Sequence, residues 1–285
     1  MRNSTLIGVA WLMATFTAAS AQEITILSLK KVSIHQESYH PTFTPDGQRL
    51  VITASDYAGL RSYNLSSGQE SVLTTASGAG YNYRYYADRI IYRVNTFRDH
   101  RKYVATESCS LLTGETKQLV AATRATSPQV AADFAKQLQA DTYVTIEDRH
   151  IALYTRGAKK ILTPNGTEAS YLWPSISPDG KRLVYTVAGS ATFVCDIDGQ
   201  NAVSVGEMNA PKWLSNQWVI GMDDRDDGHR VTGSAIVAVR TDGSARQQLT
   251  DQSLVAMYPA AAPDGKQIAF NTDRGEIYLL TIQLP

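Results

Sequence analysis

Seven aromatic side chains, Tyr81, Tyr83, Tyr85, Tyr86, Tyr92, Phe97 and Tyr103, interleave with Arg84, Arg89, Arg93, Arg98, Arg101 and Lys102 in one stretch of the chain. Aromatic rings beside arginine are what protein-interface anchors are made of, and a guanidinium grips a carboxylate through two parallel hydrogen bonds. The same alternation also suits strands with packed tyrosines on one face and solvated arginines on the other. The segment from Asn95 to Lys102, with Arg98, His100 and Arg101, reads as a loop and as a candidate for a partner or acidic-ligand contact.

Five histidines, His35, His40, His100, His150 and His229, raise the question of metal binding or general-base catalysis. None shows the one-turn helical spacing that sets paired imidazoles on a single metal, so they read as solvated or structural. The run Asp223-Asp224-Arg225-Asp226-Asp227-Gly228 has only the outline of a calcium loop. With Gly228 as the loop glycine, Arg225 falls at the third ligand position, and Ser234 stands where a bidentate glutamate is required. It reads as an exposed turn between strands. No Gly-x-Ser-x-Gly elbow and no glycine-rich phosphate loop occurs, so no catalytic residue, metal or cofactor is assigned.

A third set is defined by place rather than by type. His40, Trp173 and Tyr258 each stand five residues before the proline of a Pro-Asp-Gly tripeptide, and each is itself followed by proline. The element that carries them decides their meaning. The tripeptides Pro45-Asp46-Gly47, Pro178-Asp179-Gly180 and Pro263-Asp264-Gly265 are turn chemistry: proline presets one backbone angle, aspartate bonds its own backbone, and glycine accepts a left-handed angle. Strands follow each of them, at Leu50-Val51-Ile52, Leu183-Val184-Tyr185 and Ile268-Ala269-Phe270.

The tripeptides lie 133 and 85 residues apart, close to three and two steps of one period. An apolar landmark recurs at Leu27, Leu73, Leu119, Leu162, Val205 and Leu249, in steps of 46, 46, 43, 43 and 44. Units of this length with room for four short strands are the signature of propeller blades. The chain is therefore expected to be an all-β, six-bladed propeller. The run from Val130 to Leu138 is the one segment expected to be helical. The last repeat supplies only three strands, so Ile24-Thr25-Ile26-Leu27-Ser28 is expected to complete it and close the ring, removing an unpaired edge. In that architecture His40, Trp173 and Tyr258 start innermost strands at one mouth of the central channel, as ligand contacts or as seals between blades.

Met1 to Ala21 has a short positive start, an apolar stretch and a small-residue cleavage site, so it is expected to be a signal peptide, with a single propeller domain over 22–285. Basic and acidic residues number 27 each over the whole chain, a balance that offers no field for nucleic acid or an anionic membrane. Export would favour a disulfide between Cys109 and Cys195. Their separation of two repeats instead places them a third of the ring apart, so two free buried thiols are expected.

Thr44-Pro45-Asp46-Gly47-Gln48-Arg49-Leu50-Val51, then Ser55, Gly59, Tyr63, Gly68 and Leu73-Thr74, resembles the repeat of TolB-like six-bladed propellers. Ser177 to Val184 and Pro263 to Phe270 repeat the pattern. The resemblance implies a periplasmic or secreted propeller that binds a protein or peptide of the envelope across its face, without the α/β domain that precedes the propeller in TolB. Two function classes follow. One is a non-catalytic, monomeric binding propeller; the other is a carbohydrate-active lyase or hydrolase with its site at the mouth, which would need carboxylates, histidines or a metal to converge there.

Overall fold

The computed structural model describes residues 23–124 and 142–285. Residues 1–22 and 125–141 lie outside it, and with them the expected signal peptide and the expected helix from Val130 to Leu138. Strand β1 (Thr25–Lys31) leads into six antiparallel sheets. The first blade is β2 (Tyr39–Phe43), β3 (Arg49–Thr53), β4 (Leu60–Asn64) and β5 (Glu70–Thr74). The second is β6 (Arg84–Tyr86), β7 (Arg89–Arg98), β8 (Arg101–Ser110) and β9 (Thr116–Thr123). The third shows β10 (Thr142–Glu147), β11 (His150–Thr155) and β12 (Ala158–Leu162). The fourth is β13 (Tyr171–Ile176), β14 (Arg182–Val187), β15 (Thr192–Asp196) and β16 (Val203–Gly206). The fifth is β17 (Asn209–Trp213), β18 (Trp218–Asp226), β19 (Val231–Arg240) and β20 (Arg246–Gln248). The sixth is β21 (Ala256–Ala261), β22 (Gln267–Thr272) and β23 (Ile277–Gln283), with β1 as its outermost strand.

Within the third blade, the described strands are the second to fourth. The turn between β10 and β11 presents the Arg149 carbonyl to the Tyr171 amide of the next blade at 2.8 Å. Gly275 does the same for Ser38 at 2.8 Å, and Tyr57 for Gly80 at 3.0 Å, each from the turn between the second and third strands of its blade. This recurring bond fixes the angle at which one blade hands the chain to the next.

The Pro-Asp-Gly turns are held as their chemistry dictates. Asp46 Oδ1 accepts from the Thr44 hydroxyl at 2.5 Å and from the Gln48 amide at 3.0 Å, while Gly47 takes φ 70°. Ser177 plays the part of Thr44 at the second turn, donating to Asp179 at 2.6 Å and accepting from the Arg182 amide at 2.9 Å. These bonds hold the Asp46 and Asp179 carboxyls below the usual carboxylate range, the hydroxyl contact contributing most. The basic residue after each turn then reaches the neighbouring blade. Arg49 Nη1 donates to the Leu111 carbonyl at 2.8 Å, and Arg182 Nη1 donates to Thr241 at 2.9 Å, its guanidinium lying 5.5 Å from the centre of the Trp213 ring.

Core packing is arranged between blades rather than in one centre. Leu50 and Ile52 pack with Ala260, Ala269 and Ile277 at the junction of blades one and six. Val51 and Leu60 meet Ile90 and Tyr92 of blade two, and Leu153 and Ile151 meet Leu183 and Tyr185 across blades three and four. Period-two alternation along each second strand buries residues on both faces, one toward each neighbour.

Closure follows the expected scheme. β1 pairs antiparallel with β23, with Thr25 opposite Gln283 and Leu29 opposite Leu280. Ile24, 2% exposed, drops into the core between blades five and six. Its backbone is clamped by one side chain: Gln247 Oε1 accepts from the Ile24 amide and Gln247 Nε2 donates to its carbonyl, both at 2.8 Å. Cys109 and Cys195 are free and buried, in the third strands of blades two and four. Among the described residues no helix is long and apolar enough to cross a membrane.

Candidate functional site

The three positions singled out before the tripeptides share one backbone peculiarity. His40, Trp173 and Tyr258 have φ of 50°, 51° and 52°, in the left-handed region that residues with side chains rarely enter. Ala210 (φ 48°), followed by Pro211, and Asn82 (φ 56°) hold the same place in blades five and two. At each X-Pro pair the register of the innermost strand slips, between Tyr39 and Thr42, Leu172 and Ser175, Asn209 and Lys212, and Met257 and Ala260. A bulge is where a strand tolerates proline, which has no amide to give the ladder, and it re-aims the side chain before it. Here the bulges aim a ring of residues at one mouth of the central channel. The His40 amide is held at this angle by the buried Asn271, whose Oδ1 accepts from it at 3.0 Å.

Aromatic rings form the wall of the mouth. The His40 imidazole lies between Tyr57, stacked at 4.7 Å, and Tyr258 at 4.2 Å. Tyr81 meets Tyr57 edge-on at 5.3 Å, and the Arg93 guanidinium covers Tyr81 at 5.1 Å. Burial, and secondarily the charge of Lys212, lowers the His40 pKa to about 4, so the ring is neutral at neutral pH.

Two residues further along the inner strands stand Arg84 on β6 and Lys212 on β17. With His40, Tyr57, Trp173 and Tyr258 they line one cavity of about 370 Å³ whose lining, among the described residues, contains no Asp or Glu. Both are exposed to solvent within the channel, with protein atoms packed densely around them. Burial first, and then the charge of Arg84, brings Lys212 down to about 8; Arg84 is lowered by burial and by Arg93. Lys212 has no hydrogen-bond or ion-pair partner among the described residues, and Arg84 reaches only the Tyr83 carbonyl, at 3.4 Å. A cleft of about 460 Å³ beside the mouth shares Tyr258 and is lined by Arg230, Asn271 and Asp273.

Arg98, His100 and Arg101 are elsewhere. The stretch from Asn95 to Lys102 is a continuous hairpin and not a loop: Asn95 pairs with Val104 and Arg98 with Arg101, leaving only Asp99-His100 as the turn. Both turn residues have positive φ, 48° and 59°, the two-residue form whose twist matches the flanking strands. The three candidates therefore cluster at an exposed tip of blade two, outside the lining of the mouth.

The acidic run is likewise mostly strand, because β18 continues through Asp226 and the turn is Asp227 to Arg230. Its carboxylates are engaged locally. Asp223 pairs with Arg246 at 2.8 Å, Asp224 accepts from Asn209 at 2.8 Å, and Asp227 accepts from the His229 and Arg230 amides at 2.9 and 3.0 Å. Among the described residues no group of three His, Cys, Asp or Glu side chains converges in a way that could hold a metal ion.

TolB from Acinetobacter baumannii is similar in structure, with a TM-score of 0.55 at 17% identity, covering 79% of this chain and 57% of that one. A TolB candidate from Agrobacterium tumefaciens gives 0.56 at 14% identity over 93% of this chain and all of its own. The fold is that of a TolB-like six-bladed propeller. The chain spans little more than half the length of the Acinetobacter TolB. The tricorn protease is also similar in structure, with a TM-score of 0.52 at 14% identity over 88% of this chain and 26% of that one. One ring thus serves proteins with different names, and identities this low speak for the fold alone. No protein-family model and no curated protein matches the sequence.

Sequence reasoning found His40, Trp173 and Tyr258 because tripeptide and proline mark their place in the repeat. It missed Asn82 and Ala210, whose blades have degenerate turns, and it missed the pairing of Arg84 with Lys212. Arg84 had been noted only as one of six cations in blade two; Lys212, next to Pro211 in a blade without the tripeptide, carried no signal of its own.

Proposed function

We propose that this protein is an exported, non-catalytic propeller that binds a protein or peptide partner at the channel mouth. The observation that carries the reading is the lining: stacked aromatic rings on a rigid ring of strands, above two cations that no carboxylate of the described residues neutralises. Aromatic and arginine anchors held rigid before binding give affinity with little ordering cost. The blade-two hairpin with Arg98, His100 and Arg101 would add a peripheral contact for a partner larger than the mouth. Export rests on the apolar stretch of Met1 to Ala21, and the TolB-like fold supports the binding role by analogy.

A photo-crosslinking residue placed at Trp173 in cells tests the proposal, with the same residue at Leu112, 78% exposed in the turn between β8 and β9, as reference. A polypeptide adduct formed from position 173 and not from 112 supports the reading. Turnover of an acidic polysaccharide by the purified protein, with no polypeptide adduct, would replace it with the lyase alternative.

A further inference from the structure

Blades two and five face each other across a ring of six, and they contribute Arg84 and Lys212 at the same level of the channel, each two residues past the left-handed residue of its strand. That level is roughly 6 Å deeper than the aromatic mouth, given the rise of a strand. Thr42, at the same level on blade one, is engaged by the Tyr83 and Tyr85 hydroxyls at 2.6 and 2.8 Å. Two like charges that line one cavity, with no carboxylate of the described residues beside them, repel each other. Such local conflicts collect where a ligand supplies the missing partner.

Resting on the reading of the mouth as a peptide site, we propose that Arg84 and Lys212 form a carboxylate site below the mouth that takes the free terminal carboxylate of a bound peptide. The planar fork of arginine matches both oxygens of a carboxylate, and the lysine ammonium completes the charge from the opposite side. Inner strands of five blades line the cavity, and its volume of about 370 Å³ suits the last few residues of one chain end. The rings of His40, Tyr57 and Tyr258 then flank the residues that precede the carboxylate. The lowered Lys212 fits this arrangement, because a bound anion would favour its charged form again.

Calorimetric titration of the mature protein distinguishes the outcomes. The probes are an N-acetylated hexapeptide of alternating alanine and tyrosine with a free C-terminal carboxylate, its C-terminal amide, the amide with one internal glutamate, and trigalacturonate. The free acid should bind about tenfold more tightly than the amide, and Lys212→Met or Arg84→Leu should reduce that gap to about twofold or less. Thermal unfolding of both variants at or above the parent temperature shows that the fold is intact. Equal binding of acid and amide overturns the carboxylate site and leaves the peptide reading standing. Tighter binding of the internal glutamate overturns the assignment to a chain end. Binding of trigalacturonate alone overturns both readings. Silence of all four probes overturns the carboxylate site, while the cross-link from position 173 still decides the peptide reading.

Discussion

Burial lowers the pKa of both His40 and Lys212, and the charge of Lys212 on His40 and of Arg84 on Lys212 lowers them further, so channel residues of blades one, two and five are electrostatically linked although they are far apart in sequence. The site therefore answers to pH in two windows.

In the upper window, Lys212 is the sensor. Its folded pKa of about 8 lies below the unfolded value of 10.5, so between these the unfolded chain binds more protons and stability rises with pH. The penalty is fully present below pH 8. Lys212→Met should unfold at a higher temperature than the parent at pH 7, and the difference should shrink as pH climbs from 8 to 10. A destabilised variant at pH 7 would mean that Lys212 has a structural partner.

The lower window belongs to His40. With a folded pKa of about 4 against 6.5 unfolded, the ring resists protonation in the fold, so stability falls as pH drops from 6.5 to 4. His40→Asn keeps a residue that tolerates left-handed backbone and removes the titration. Urea midpoints across this range should show a flatter pH slope for the variant.

The tripeptide turns allow a graded test. Gly180→Ala places a Cβ in open space but at φ 72°, a backbone cost of about 1 kcal/mol. Gly265→Ala should cost more, because its Cβ would also come within 3.2 Å of the Leu214 carbonyl. Ser177→Ala removes a buried hydroxyl that donates once and accepts once, for about 1 kcal/mol. Denaturant titration of the three ranks them.

Closure is tested at Ile24. Ile24→Ala should cost about 3 kcal/mol as a core truncation, and deleting residues 22–30 should abolish cooperative unfolding. Unchanged thermal stability of the deletion would exclude β1 as the closing strand.

The cysteines should be silent. Burial raises both thiols, Cys195 to about 12, so neither should react with a disulfide reagent until the protein unfolds. Mass analysis without reductant should show both free.

The repeat was readable in the sequence wherever turn chemistry is explicit, because Pro-Asp-Gly leaves few conformations open. The apolar landmark then located every outermost strand, from Leu27 in β1 to Val205 in β16, with Leu249 just past the end of β20. Three mouth residues were readable for the same reason. Hairpin length was not: nothing local distinguishes a strand that runs to Arg98 from a loop that begins at Asn95, since Asp99 and His100 lack the glycine that usually marks a two-residue turn. Nor could the facing of Arg84 and Lys212 be read, because it exists only once six blades have been bent into a circle. Local periodicity reports faces and turns; it carries no information about what meets across an axis.

The clasp of β1 on β23 joins strands more than two hundred residues apart along the backbone, Thr25 against Gln283. A loop that large is entropically expensive to shut and is shut late. Without β23 in place, β1 has no neighbour to bond with, and without β1 the edge of β23 stands open. The channel, with its two facing cations, exists as a closed ring only with β1 seated on β23. The facing of Arg84 and Lys212 across the axis thus depends on a clasp made at two strands that contain neither of them.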